Sequence, residues 1–161
     1  MLKNYHEDVA GWFKAPPPKY PVIVLIDNDS GADSVYEAIA GITKKPKPAG
    51  RADFIHVISN LYVVPTPFGP GKKKTTIEDF FDAATLETPL NGKKFSLSKK
   101  IDEATQYGKA AFARDVIAKK SGSIHFDNFK KILDRVVKVL DDYDAKRVAT
   151  PPTATATVGK K

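Results

Sequence analysis

The sequence contains no cysteine, and only one methionine and one tryptophan. Without cysteine the chain has no disulfides, no thiolate zinc site and no cysteine nucleophile. Long apolar runs are absent too, since the longest strongly apolar run, Val22–Ile26, is far shorter than the roughly 20 residues of a membrane-spanning helix. The N-terminus also lacks a signal-peptide pattern. We therefore expect a cytoplasmic protein with no membrane partner.

The sequence does contain enough apolar material for one core, and an excess of positive charge. Of the 161 residues, 42% are hydrophobic, which suits a single domain. Lysine and arginine number 26 against 19 acidic residues, which gives a net charge of +7. Such a charge favours binding to polyanions, so DNA or RNA is the expected partner. Basic proteins without a nucleic-acid partner are also common, and charge alone leaves both alternatives open.

The composition changes twice along the chain, which predicts three segments. Residues 1–20 contain a proline run at positions 16–18 that cannot continue a helix, and they form a lead-in segment. Residues 21–149 carry the strand and helix patterns of a domain. Residues 150–161 are a low-complexity stretch without a core-forming pattern, which predicts a disordered tail.

The first half of the predicted domain alternates between strand and helix patterns. Val22–Ile26 is an unbroken run of branched residues, typical of a central strand buried on both faces of a parallel sheet. Val35 and Ile39 follow at helical spacing, which completes a strand–helix unit. Residues 54–58 and 60–65 predict two further strands. The expected fold class is α/β, with a small, open, mostly parallel sheet flanked by helices.

The second half is predicted to be mainly helical. Residues 75–81 have the pattern of a helix start, and residues 107–118 and 126–143 predict two more helices. Asn91-Gly92 is a turn or hairpin signal. The last helix has an apolar stripe that should face the core, made of Phe129, Ile132, Leu133, Val136 and Leu140.

Two aspartates, Asp27 and Asp29, follow the first predicted strand. Open α/β sheets bind ligands beyond the carboxyl ends of their strands, so both carboxylates should reach that crevice. Hard oxygen ligands suit Mg²⁺ or Mn²⁺, and Mg²⁺ usually takes only one or two carboxylates together with waters and phosphate oxygens. The pair therefore predicts a metal site for phosphoryl chemistry. Alternatively, Asp27 caps a turn or the following helix, since residues 28–31 are all ordinary turn residues.

Residues 22–31 resemble the Asp-x-Asp motif of the TOPRIM fold, which is shared by topoisomerases, bacterial primases and the overcoming-lysogenization-defect nucleases. Several later segments resemble, in their order and spacing, the C-terminal extension of certain retron reverse transcriptases. These segments are Ile55-His56-Val57, Asn60-Leu61-Tyr62-Val63-Val64-Pro65-Thr66-Pro67, Ile77-Glu78-Asp79-Phe80-Phe81, Asn91-Gly92-Lys93-Lys94-Phe95, Tyr107-Gly108-Lys109 and Ile124-His125-Phe126. The likeness spans residues 20–143.

The resemblance implies a TOPRIM-like domain over residues 21–149, incomplete at its N-terminus, with a Mg²⁺ site and a role in phosphodiester cleavage. It also implies a reverse transcriptase domain of a longer parent protein and its msDNA as partners, and a function in anti-phage defence. TOPRIM domains carry a glutamate after an earlier strand, upstream of the aspartates. Glu7 does not follow an apolar strand, so we expect this chain to be a fragment. The alternative function is a catalytically inactive module that binds RNA, msDNA or a protein partner.

Two further residues are candidates for the same site. Glu78 stands where the related nucleases have a glutamate, which makes it a candidate metal ligand; alternatively, Thr75 and Glu78 have the spacing of a helix capping box. Lys109 is a candidate for neutralising charge on a phosphoryl group, or else an ordinary surface lysine. The predicted catalytic set is Asp27, Asp29, Glu78 and Lys109, and the three acids are the predicted metal ligands.

Two further patterns bear on function. Lysines cluster in two Pro/Gly-rich loops, at residues 44–50 and 66–74, where they are candidates for contact with a nucleic-acid backbone or are simply solvated. A receiver-like or flavodoxin-like domain also binds Mg²⁺ at a strand end, but a receiver-like site needs a lysine on a later strand. We find no such pattern, and this third interpretation ranks last.

Overall fold

The computed structural model describes residues 18–149 of the chain. Within that range the fold is mixed α/β, with two small open sheets flanked by helices rather than the one sheet predicted. The strands are β1 (Val22–Ile26), β2 (Ile55–Ile58), β3 (Leu61–Pro65), β4 (Lys94–Phe95) and β5 (Gln106–Tyr107). The α-helices are α1 (Ala32–Thr43), α2 (Ala83–Leu86), α3 (Lys109–Ala111), α4 (Ala118–Lys120) and α5 (Lys130–Ala149). The predicted tail and most of the predicted lead-in segment lie outside the described residues.

The larger sheet has the strand order β1-β3-β2. β1 pairs with β3 in parallel, with Val22 opposite Leu61, and β2 pairs with β3 in antiparallel orientation. The prediction that β1 is the central, doubly buried strand is therefore wrong. β3 is central and all five of its residues are buried, whereas β1 is an edge of the described sheet, with Val22 39% and Leu25 45% exposed. A run of branched residues indicates a strand but does not identify its neighbours.

Helices cover both faces of this sheet. Because successive side chains of a strand point to opposite faces, Leu61 and Val63 of β3 pack against Ile39 of α1. Tyr62 and Val64 point to the other face and pack against α5. Each fully buried aliphatic side chain contributes about 2 kcal/mol of transfer free energy. The sheet therefore lies between α1 and α5, and these helices hold the parallel strands β1 and β3 from both faces.

A second small core lies around β4 and β5, which pair in parallel. Phe95 of β4 stacks on Phe112 with ring centroids 4.3 Å apart. Phe112 begins a π-helical segment, Phe112–Ile117, that joins α3 to α4. The predicted turn at Asn91-Gly92 is confirmed, since both residues have positive φ angles and a bridge pairs the residues on either side. This second core holds the start of α3 in place.

The apolar stripe predicted for the last helix, α5, faces the core only in part. Ile132 of that stripe is buried as predicted, and Val139 outside it is buried too, but Leu133 and Leu140, which were predicted to face the core, are 59% and 43% exposed. Both leucines stand one residue, or about 100°, around the helix from a buried position. Apolar residues cover more than one face of this helix, so their periodicity alone does not select the buried face. Among residues 18–149, no helix combines the length and apolar character that crossing a membrane requires.

Candidate functional site

The site lies where β1 and β3, being parallel, bring their carboxyl ends together. Asn28 follows β1 and Thr66 follows β3, and the Asn28 backbone N–H donates to the Thr66 hydroxyl oxygen over 3.0 Å. An antiparallel bridge joins Asn28 to Thr75, with backbone hydrogen bonds of 2.8 and 3.0 Å. This bridge places the segment after Thr75 beside the two aspartates.

Asn28 holds this loop in place. Its side chain is buried, and its amide nitrogen donates to the carbonyl oxygens of Gly50 and Thr66 over 2.7 and 3.1 Å. Its amide oxygen accepts from the Tyr36 hydroxyl over 3.0 Å. Gly50 has a φ of +69°, and a β-carbon there would lie 2.4 Å from the Asn28 amide oxygen, so only glycine is accommodated. The residue between the two aspartates is therefore a structural anchor.

Asp27, Glu78 and Lys109 meet beside this anchor. One Asp27 carboxylate oxygen accepts from the backbone N–H of Ile77 over 2.8 Å, and the other lies 3.9 Å from the Lys109 ammonium. Glu78, whose side chain is 8% exposed, accepts from the same ammonium over 2.8 Å. Three of the four predicted catalytic residues, which lie far apart in sequence, therefore meet, with the carboxylates of Asp27 and Glu78 on the ammonium of Lys109.

Asp29, the fourth predicted residue, has a local role. Its carboxylate accepts from the backbone N–H of Gly31 over 2.7 Å, which is the turn arrangement that was the alternative prediction. Its side chain makes no hydrogen bond or ion pair with Glu78 or Lys109 in the described part of the chain. Its negative charge still contributes to the potential at Lys109. The two aspartates of the motif thus have different surroundings.

The environment keeps Lys109 charged. Burial alone would lower the pKa of Lys109, but the hydrogen bond and charge of Glu78 raise it, with smaller contributions from Asp27 and Asp29. The net result is a pKa above the ordinary lysine value. At neutral pH the cluster therefore contains an ammonium group close to two carboxylates.

The predicted capping box is present, but one residue later than predicted. Thr76 caps the 3₁₀ turn Ile77–Phe80, and the carboxylate that accepts from its backbone N–H, over 2.8 Å, belongs to Asp79. Thr75 cannot serve as the cap, because its backbone bonds to Asn28. The capping role predicted for Glu78 is therefore wrong, and its carboxylate is available to Lys109.

The donor set is chemically suited to a small hard cation. Mg²⁺ commonly binds through one or two carboxylates and completes its shell with waters and phosphate oxygens. Asp27 and Glu78 supply two carboxylates that already stabilise one positive charge, that of Lys109. Across residues 18–149, no three acidic, histidine or cysteine side chains are close enough together to form a metal-binding group. A metal at this position would therefore have two protein ligands and would compete with Lys109.

Comparison with known proteins does not assign the chain to a family. No protein-family model matches the sequence, and no solved structure matches it. The TOPRIM and retron resemblance thus stays a prediction based on the motifs in the sequence.

Sequence reasoning missed two residues that hold the site. Asn28 looked like an ordinary turn residue. Arg135 of α5 is 8% exposed, and its guanidinium donates to the Pro65 carbonyl oxygen over 2.7 Å and lies 3.4 Å from an Asp53 carboxylate oxygen. It fixes the last residue of β3 just before Thr66. The available signal was an arginine within the apolar stripe of a helix, where burial requires a partner.

Proposed function

We propose that this chain binds nucleic acid and that Asp27, Glu78 and Lys109 form the site of divalent-metal-assisted phosphodiester cleavage. The observation that carries the proposal is that two separate segments bring the carboxylates of Asp27 and Glu78 to one cation, the Lys109 ammonium of a third segment. The net charge of +7 supports a polyanionic substrate. In the context that the sequence resemblance implies, the parent protein is a retron reverse transcriptase, and the cleavage serves anti-phage defence.

Each residue has a distinct role in this proposal. Asp27 and Glu78 would hold Mg²⁺ or Mn²⁺, which when bound supplies charge stabilisation and an activated water. The hydrogen bond from the Ile77 N–H fixes the orientation of the Asp27 carboxylate. Glu78 is nearly buried, so its negative charge is only weakly screened by solvent. Lys109 would donate to a phosphoryl oxygen and neutralise charge that develops there.

A second candidate function is a nucleic-acid- or protein-binding module that does not cleave. The observation that favours it is that the Lys109 ammonium already compensates the carboxylates of Glu78 and Asp27. Within the described range, no third acidic or histidine side chain completes a metal-binding group. Under this proposal the cluster is a structural ion pair that holds α3 against the turn Ile77–Phe80, and the ligand is RNA, msDNA or a protein.

Metal binding and strand cleavage, measured on the same preparations, separate the two functions. Calorimetric titration with Mn²⁺ and a cleavage assay would compare the wild type with Asp27→Asn and Glu78→Gln. The control is Asp141→Asn, which removes an exposed acid of α5. We expect each cluster variant to lose metal binding and cleavage, and the control to keep both. Full metal affinity and cleavage in Asp27→Asn and Glu78→Gln would overturn the proposal. A wild type that binds nucleic acid but neither binds Mn²⁺ nor cleaves would establish the binding module.

A further inference from the structure

Asp27, Glu78 and Lys109 together form what we call the acidic cluster. The 3₁₀ turn that contributes Glu78 to it also borders a separate cavity. This cavity has a volume of about 200 Å³ and is bordered by Phe80 and Asp79 of the turn. The loop after β3 supplies Phe68 and Lys72, and the segment entering α5 supplies Asn128 and Lys131. Its volume is below the roughly 300–1,000 Å³ of pockets for drug-sized ligands. It therefore suits a single small group.

Part of the cavity wall is apolar and rigid. Phe80 is 5% exposed, and its ring packs on Phe129 with centroids 5.9 Å apart, which fixes its position. Phe68 is only half-buried, so part of its side chain remains accessible. Prolines 67 and 70 on either side of it restrict the backbone of the loop. The cavity thus offers an aromatic side chain on a restrained backbone to a flat apolar ligand.

The polar part of the wall carries a net positive charge. Lys72 forms an ion pair of 2.6 Å with Asp79, which neutralises that carboxylate. The Lys131 side chain is exposed and forms no ion pair or hydrogen bond with any residue in the range 18–149. The exposed Asn128 side chain likewise makes no hydrogen bond within that range, and it has both donor and acceptor atoms. One ammonium and one amide are therefore available to a ligand.

We propose that this cavity binds the base of one nucleotide of a single-stranded nucleic acid. The base stacks on Phe68, its edge bonds to the Asn128 amide, and the adjoining phosphate pairs with Lys131. A base within a duplex cannot present its face in this way, whereas single strands are commonly held by aromatic stacking and cationic grooves. The inference rests on the proposed function, because it defines the substrate of the adjacent acidic cluster as single-stranded.

The test measures binding of the full chain to a labelled short oligonucleotide by fluorescence anisotropy, at low salt and with EDTA. Phe68→Ala should weaken binding by about ten-fold, since it removes one base-stacking contact. Lys131→Ala should also weaken binding. It should reduce the slope of the logarithm of the binding constant against the logarithm of the salt concentration by about 1, the value for one phosphate contact. Phe68→Leu keeps an apolar side chain but cannot stack, so it should behave as Phe68→Ala does, with an unchanged melting temperature.

Two controls match these changes elsewhere on the surface. Tyr20→Ala removes an aromatic ring that is 67% exposed, and Lys120→Ala removes one exposed positive charge. We expect both to bind nearly as the wild type does. If the Phe68 and Lys131 variants bind no more weakly than their controls, the cavity is not the nucleotide site. If the wild type binds a duplex of the same oligonucleotide, or a mononucleotide, as tightly as it binds the single strand, the assignment to a single strand is wrong.

The possible failures are distinguishable. A wild type that binds no oligonucleotide overturns both the inference and the proposed nucleic-acid function. A wild type that binds through Phe68 and Lys131, but neither binds Mn²⁺ nor cleaves, overturns the cleavage proposal and leaves the nucleotide site established. Because oligonucleotide binding is measured with EDTA, the test of the nucleotide site does not depend on metal at Asp27 and Glu78.

Discussion

Replacing Lys109 with methionine tests the acidic cluster most directly. Lys109→Met removes the ammonium and keeps an unbranched side chain of similar length. Losing one partner of a buried ion pair costs about 3–5 kcal/mol, and an exposed pair contributes about 0–1 kcal/mol. The Glu78 side chain is 8% exposed and that of Lys109 is 45% exposed. We therefore expect Lys109→Met to lower the free energy of unfolding by an intermediate amount, about 1–2 kcal/mol. Because the pKa of Lys109 is raised, the contribution of its ammonium to the free energy of unfolding is fully present at neutral pH. It is lost as the pH rises above 10.5 and through the higher pKa of the folded state.

The same variant should respond more strongly to metal. Removing the ammonium leaves the Asp27 and Glu78 carboxylates without their competing cation. A ligand present at a hundred times its Kd stabilises the folded state by about 2.7 kcal/mol. Urea unfolding of both proteins with and without Mn²⁺ should therefore show a larger metal-dependent gain in Lys109→Met than in the wild type. Cleavage should fall in spite of tighter metal binding, because the cation proposed for the phosphoryl oxygen is absent.

The double variant Lys109→Met with Glu78→Gln is the matched control. Without the buried carboxylate, the loss of the ammonium no longer leaves an unpaired charge, so the double variant should recover stability relative to Lys109→Met. It should also lose the response to Mn²⁺. If Lys109→Met is as stable as the wild type without metal, or if Mn²⁺ stabilises all three proteins equally, the cluster does not act as described.

Two further predictions concern the fold. Ile132→Ala should lower the free energy of urea unfolding by about 2–5 kcal/mol and Leu133→Ala by less than about 0.5 kcal/mol, since only Ile132 is buried; equal losses would contradict the observed orientation of α5. Burial alone would raise the pKa of Asp142, but hydrogen bonds from Lys146 and Tyr62 lower it. These hydrogen bonds therefore contribute to the free energy of unfolding above the ordinary aspartate pKa of about 4, and the contribution is lost as the pH falls through the lower pKa of the folded state. Asp142→Asn should flatten the acid side of the curve of unfolding free energy against pH. An unchanged profile from urea unfolding between about pH 2 and 5 would contradict this account.

Local patterns in the sequence predicted elements more successfully than their arrangement. Val22–Ile26 is a strand as predicted, and Ile39 lies on the buried face of α1. The central position of β3 was not predictable from these patterns, because strand periodicity indicates which face is buried but not which strands are neighbours. The capping box was misplaced by one residue, because the bridge between Thr75 and Asn28 has no local signature.

The candidate site shows the same division between local and long-range effects. A turn and a metal site were alternative predictions for one pair of aspartates, and the structure gives the two residues different partners. Asp29 bonds to Gly31, two positions away, as a turn residue does. Asp27 accepts from Ile77, 50 positions away, so tertiary structure sets its orientation. Because Glu78 is the next residue, the backbone contact that orients Asp27 also brings the second carboxylate to the site.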